Sequence, residues 1–290
     1  MSSERQVKRR INTAQNIAKI TKAMEMVAAS KMKRAQDQAI AARPYSRALY
    51  DSIVTVAQVS GVSDHPLLSV HTIGFPVMCV IGTDKGLCGA LNTNLAKTLL
   101  TWRNEHRDGQ VVAVGKKAVL LARNLGMTVH AQFTDLPDHL TFKDILPVVT
   151  LILNGFKEQH FRSVEVLYTD FINTLSQRPK QAILLPLTQA LQATLTKEKQ
   201  VTLPPKPYVF EPGAKQILEY LLPFYLENTL FHAFLEAKAS EHSARMVAMK
   251  NASDNAAELV DELRLIYNKT RQQSITSELL DIVSATMALN

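Results

Sequence analysis

The chain has 290 residues, 46% of them apolar and 20% charged, with a formal net charge of +7. This is the balance of a globular protein of one or two domains rather than a disordered one, and its basic excess suits an acidic partner surface. Two cysteines, Cys79 and Cys88, are too few for a disulfide framework or a zinc site and point to a reducing compartment.

Residues 1–43 contain neither glycine nor proline. As one helix they would span about 65 Å. Ile17, Ile20, Met24, Ala28, Met32, Ala35, Ala39 and Ala42 recur at three- and four-residue spacing, which predicts a continuous packing stripe whose lower half is small enough for close helix approach. The basic excess concentrates here, as Arg5, Lys8, Arg9, Arg10, Lys19, Lys22, Lys31, Lys33 and Arg34 against Glu4 and Glu25. Pro44 removes a backbone donor and predicts a kink. The helical pattern resumes from Tyr45 to Val59 and breaks at Ser60-Gly61.

From Phe75 to about Pro205 the texture changes. Short apolar runs at Val77–Ile81, Val111–Val114, Val129–Phe133, Val164–Phe171 and Ala182–Leu185 read as strands. Helical patterns at about 90–107, Lys116–Asn124 and Phe142–Gln159 lie between them. Alternating strands and helices predict a mainly parallel, Rossmann-like sheet covered on both faces. After the stiff Pro204-Pro205-Lys206-Pro207 connection, Tyr208–Glu211 reads as extended. A long helix then follows Pro212-Gly213, with Pro223 near its start.

Phe224 to Asn290 again lacks glycine and proline and would make a helix of about 100 Å. Its predicted stripe is Ala244, Ala248, Ala252, Ala256, Leu259, Leu263 and Ile266. Helices this long imply a coiled coil, a membrane span or a repeat. No apolar run reaches about 18 residues, so a span is not expected, and the start lacks the apolar core of a secretory leader. The expected architecture is therefore α/β. An antiparallel coiled coil is formed by the two terminal helices (1–60 and 209–290) around a central α/β domain (75–205). The later helix is 24 residues longer, so its tip would extend about 36 Å past its partner. From Ile282 to Asn290 it carries no charge, which predicts a surrounding sleeve of other chains.

The loop Gly82-Thr-Asp-Lys-Gly-Leu-Cys-Gly89 sits where α/β folds cradle phosphate. It is neither G-x-G-x-x-G nor G-x-x-x-x-G-K-[ST], and a tight turn with positive φ is the simpler reading. The eight histidines form no metal-binding spacing, and Cys88 has no evident base. The basic N-terminal face has no aromatic residue before Tyr45 to stack a base. Arg271-Gln272-Gln273 is either exposed helix surface or a hydrogen-bonding latch to the sleeve.

Five segments resemble one family. Ile20-Thr-Lys-Ala-Met-Glu-Met-Val-Ala-Ala-Ser-Lys-Met32 is similar to the N-terminal signature of the gamma subunit of F-type ATP synthase, in its bacterial form. The 82–92 loop and Phe171-Ile-Asn-Thr-Leu-Ser-Gln177 resemble its central segments. Ala244-Arg-Met-Val-Ala-Met-Lys-Asn-Ala-Ser-Asp-Asn255 and Tyr267-Asn-Lys-Thr-Arg-Gln-Gln-Ser-Ile-Thr-Ser-Glu278 resemble its C-terminal signature.

The resemblance implies a central rotor inside a hexamer of alpha and beta subunits. Its foot would rest with epsilon on a membrane ring of c subunits, and it would bear no catalytic group, cofactor or metal. It implies hexamer contacts at Met26, Arg245, Arg271 and Gln272, and c-ring contacts at Tyr208 and Glu211. It places the chain at the cytoplasmic face of the bacterial inner membrane as a peripheral subunit. The competing readings are an α/β enzyme holding phosphate at 82–89, and a coiled-coil scaffold or nucleic-acid-binding protein, which would show steep salt dependence.

Overall fold

A computed structural model describes residues 4–60, 65–190, 211 and 213–288. Two helices dominate: α1 (Glu4–Ser60) and α5 (Ala214–Ala288). Both run through an internal proline, Pro44 and Pro223. The contacts divide the chain into two compact units, Met1–Ala28 with Arg245–Asn290, and Ala29–Ala244.

In the first unit the two helices form an antiparallel coiled coil. The Tyr267 hydroxyl donates to Glu4 (2.8 Å) and the Ser253 hydroxyl to the Ala18 carbonyl (3.4 Å). The step from Glu4 to Ala18 along α1 therefore matches the step back from Tyr267 to Ser253 along α5. Val7, Ala14, Val260 and Leu263 form the buried seam, with Ile11 and Tyr267 against it. Val7, Ile11, Ala14, Ala18 and Thr21 recur in alternating fours and threes, the average of 3.5 that keeps a seam facing a partner helix.

This corrects the outer ends of the two predicted stripes, whereas Ala35 and Ala39 of the first are buried as predicted. Ile17 and Ile20 are 47% and 59% exposed, and Leu259 and Ile266 46% and 50% exposed, while Ala28, Ala256 and Leu263 are buried. The predicted stripes took neighbouring apolar positions that lie on the outer face. The seam itself is spaced by small and polar side chains such as Ala14, Ala18 and Ser253.

In the second unit a five-stranded sheet has the order β3-β2-β1-β4-β5. The strands are β1 (Phe75–Ile81), β2 (Gln110–Val114), β3 (Thr128–Phe133), β4 (Phe161–Phe171) and β5 (Gln177–Leu185). The first three pairings from the β3 edge are parallel and β4–β5 is antiparallel. The helices α2 (Leu91–Glu105), α3 (Lys116–Asn124) and α4 (Phe142–Lys157) connect the parallel strands.

Side chains alternate across the sheet. Met78, Val80, Val111 and Ala113 face the layer that holds Leu95, Leu99 and Trp102 of α2 and Ala118 of α3. Val77, Cys79, Ile81, Val112 and Val114 face α4, together with Leu49 and Ile53 of α1 and Leu222, Leu226 and Leu230 of α5. Tyr45 of α1 meets Phe224 of α5 edge to face at 5.9 Å.

The strand β5 is longer than its apolar run predicts. Its first half, Gln177-Arg-Pro-Lys-Gln181, is polar and contains a proline, both of which an edge strand tolerates.

Candidate partner-binding surface

The coiled coil of the first unit carries a second apolar face that its own packing does not use. On α1, Val27 (55% exposed) continues outward from Ile20, while Met26 (62%) stands exposed on the opposite flank of the seam. On α5 the same holds for Leu265, Ile275, Leu279, Leu280, Ile282 and Val283. Between Arg271 and Ser284 every residue but Ser274 is exposed. An apolar surface of this extent on a helix pair marks a protein contact. Arg5, Lys8, Arg9, Arg10 and Lys19 stand exposed on the same unit, so the surface couples apolar side chains with positive charge.

Antiparallel register places the predicted contacts. Eight residues on from Ala18 is Met26, and eight back from Ser253 is Arg245, so these two lie at one level of the coiled coil. Met26 points to solvent, while Arg245 is 9% exposed. Arg271 and Gln272 are exposed at the other end, past the level where Glu4 meets Tyr267. The structure thus forms two separate pairs rather than one cluster. Glu211 is exposed outside the helix, and Tyr208 lies outside the described residues, as does the proline-rich connection before it. The outward Val27, Leu265 and Leu280 were not singled out by sequence reasoning. Their signal is the four-three spacing of the seam, which leaves them on the far face.

The 82–89 loop is closed upon itself. The Thr83 hydroxyl donates to the Lys85 carbonyl (2.7 Å). The Asn92 amide donates to Thr83 Oγ1 (3.0 Å) and Cys88 Sγ (3.3 Å). The Lys116 N–H at the start of α3 donates to Asp84 (3.0 Å). The Asp84 carboxylate of this loop thus occupies the N-terminus of α3. Positive φ falls at Gly89 and also at Leu87.

In open α/β sheets, ligands bind at the carboxyl ends of the strands. Here Phe234, Ala237 and Glu241 of α5 line that edge beside Gly82 and Gly115, and the cavity among them is about 10 Å³. That volume is about one water, not a nucleotide. A wider, open cavity of about 510 Å³ lies at Asp84, Lys116, Lys117 and Arg123. Burial pushes the Cys79 thiol up to about 12, the opposite of an activated nucleophile. Among the described residues no group of His, Cys, Asp and Glu side chains is placed to hold a metal. None of the helices there is long and apolar enough to cross a membrane.

The comparisons with known proteins agree with this geometry. A family model described as ATP synthase matches residues 3–289. The chain is 41% identical over 302 residues to the ATP synthase gamma chain of Herpetosiphon aurantiacus, and 38% identical over 293 residues to that of Mannheimia succiniciproducens. Each alignment covers the whole of both chains.

Among solved structures, it matches a chain of the Tetrahymena thermophila mitochondrial ATP synthase central stalk and c-ring. The TM-score is 0.60 and the identity 24%, covering 81% of this chain and 99% of that one. It also matches a chain of the Euglena gracilis mitochondrial ATP synthase with a TM-score of 0.58 and 20% identity, covering 92% and 95%. These likenesses share the fold of paired long helices and an α/β body. With its matched length and its full-length relatives, the chain belongs to the ATP synthase gamma-chain family.

Proposed function

We propose that this chain is the central rotor of an F-type ATP synthase, turning with a c-ring and carrying torque to a hexamer of alpha and beta subunits. The observation that carries the reading is the second, outward apolar face of the coiled coil, continuing into the exposed stretch after Arg271. A sleeve of other subunits covers such a face.

In this reading 1–60 and 209–290 act as the shaft and 75–205 as the body that meets epsilon and the c-ring, at the cytoplasmic face of a bacterial inner membrane. The chain contributes no catalytic group and binds no nucleic acid. Met26 and Arg245 contact the hexamer at one level, Arg271 and Gln272 at another, and Tyr208 and Glu211 meet the c-ring. A contact shifts a conformational equilibrium only by its differential affinity for the two states. An asymmetric shaft therefore drives each beta subunit by offering it a different face in turn.

The test is a pull-down of the tagged chain from its native membranes, with mass spectrometry and an ATPase assay. Recovery of alpha, beta and epsilon subunits with ATPase activity is expected. Recovery of nucleic acid, or of the chain alone, contradicts the reading.

A further inference from the structure

At the β4–β5 edge of the sheet, α5 is fastened by polar groups that neither the coiled coil nor the hexamer contacts use. The Ser240 hydroxyl donates to the Thr169 carbonyl at 2.9 Å. One turn earlier on α5, the Glu236 side chain is 10% exposed, and its Oε2 is buried without a donor. Four groups face it. His232 Nδ1 lies 3.3 Å from its Oε1. Tyr168 and Asp170 lie against it from β4, and Lys180 adds its charge from β5.

Lys180 is already engaged. Its ammonium reaches Asp170 at 3.4 Å and sits 5.5 Å from the Tyr168 ring centroid. Two carboxyl groups thus share one ammonium, and Glu236 is the buried one, with 10% of its side chain exposed against 28% for Asp170, so an uncompensated charge on Glu236 is costly. An oxygen that is buried, lacks a donor and faces a carboxylate is satisfied by carrying the proton itself.

We propose that Glu236 is held as a neutral carboxylic acid donating its proton to Asp170, and that this one-proton bond is a pH-sensitive clasp fastening α5 to β4. Burial first, then the bond to Asp170, pushes the Glu236 carboxyl up to about 8. Burial alone would raise Asp170 too, but the Glu236 bond and Lys180 bring it below its ordinary value. The two directions agree with one proton resting on Glu236. A carboxyl raised on folding contributes stability that is fully present below its ordinary value of 4.5. That stability is lost as pH rises and is gone above about 8. The clasp therefore holds in acid and neutral medium and opens in alkali.

The experiment is thermal and urea unfolding of the full-length chain across that window, for the wild type, Glu236→Gln and His232→Gln. For the wild type relative to Glu236→Gln, the unfolding constant is expected to rise by up to about tenfold per pH unit, the slope of one proton. His232→Gln keeps that rise. Parallel curves for wild type and Glu236→Gln overturn the proposal, as does loss of the rise in His232→Gln, which would put the proton on the imidazole. Should Glu236→Gln fail to fold, infrared spectroscopy of the wild type decides. A neutral carboxylic acid band at neutral pH that vanishes in alkali supports the clasp, and its absence at neutral pH overturns it.

Discussion

A single missing methyl group lets α4 lie on β4. A Cβ at Gly155 would meet the Phe161 ring at 2.3 Å; Gly155 is buried on α4 and Phe161 lies in the packed layer under the sheet. Gly155→Ala should destabilise the protein by roughly 1–3 kcal/mol through overpacking, seen as a lower urea midpoint at unchanged slope. At the surface the proposed hexamer contacts Arg271 and Gln272 are both exposed on α5. Hydrogen bonds to a charged group contribute about 1.5–3 kcal/mol. Replacing both residues by alanine should therefore lower ATP synthesis and hydrolysis by about tenfold or more while the complex still assembles. Rates equal to the wild type would remove the latch.

Arg271 and Gln272 were singled out because they stand in a motif that resembles the family's. The Trp102–Glu165–Gln181 chain of hydrogen bonds (2.9 and 2.6 Å) and the Asp170–Glu236 pair were not. Their members lie on different elements, and only the finished sheet order brings them together.

The seam of the coiled coil distinguishes residues only a few positions apart. Leu263 is 8% exposed and Leu259 46%. Leu263→Ala should cost about 2 kcal/mol, and Leu259→Ala should stay within about 0.5 kcal/mol, when helical melting of the full chain is followed by circular dichroism. Equal losses would mean that the helices pack in a different register. Helix existence was easy to read because the absence of glycine and proline over so many residues leaves little else to form.

Register was harder. Steps of four and steps alternating four and three differ by a fraction of a turn per heptad, so a stripe traced through the larger side chains drifts onto the outer face. The sheet was legible from its apolar runs; the structure adds a capping box at the α4 start, in which the Thr141 N–H donates to Asp144 at 2.7 Å. The strand β5 was only half legible because its paired residues from Gln177 to Gln181 are polar.

Each of the two compact units contains parts of both long helices, so α1 and α5 link the α/β body to the coiled coil covalently. In the body α5 occupies the strand-end edge where related folds hold nucleotides, with a cavity of about 10 Å³ left over. The loop that resembles a phosphate loop is closed by its own hydrogen bonds, with Asp84 at the start of α3. In the coiled coil the apolar side chains that packing leaves outside face the proposed sleeve. Both features suit the proposed rotor, a chain gripped by others that transmits force between them.

The direct test is single-molecule rotation. Cys79 and Cys88 are buried, so Leu175→Cys at an 84% exposed site between β4 and β5 takes a probe selectively in the assembled complex. With the hexamer immobilised and ATP supplied, the probe should turn in one direction with three pauses per revolution. A complex that hydrolyses ATP at full rate while the probe stays still would contradict the rotor account.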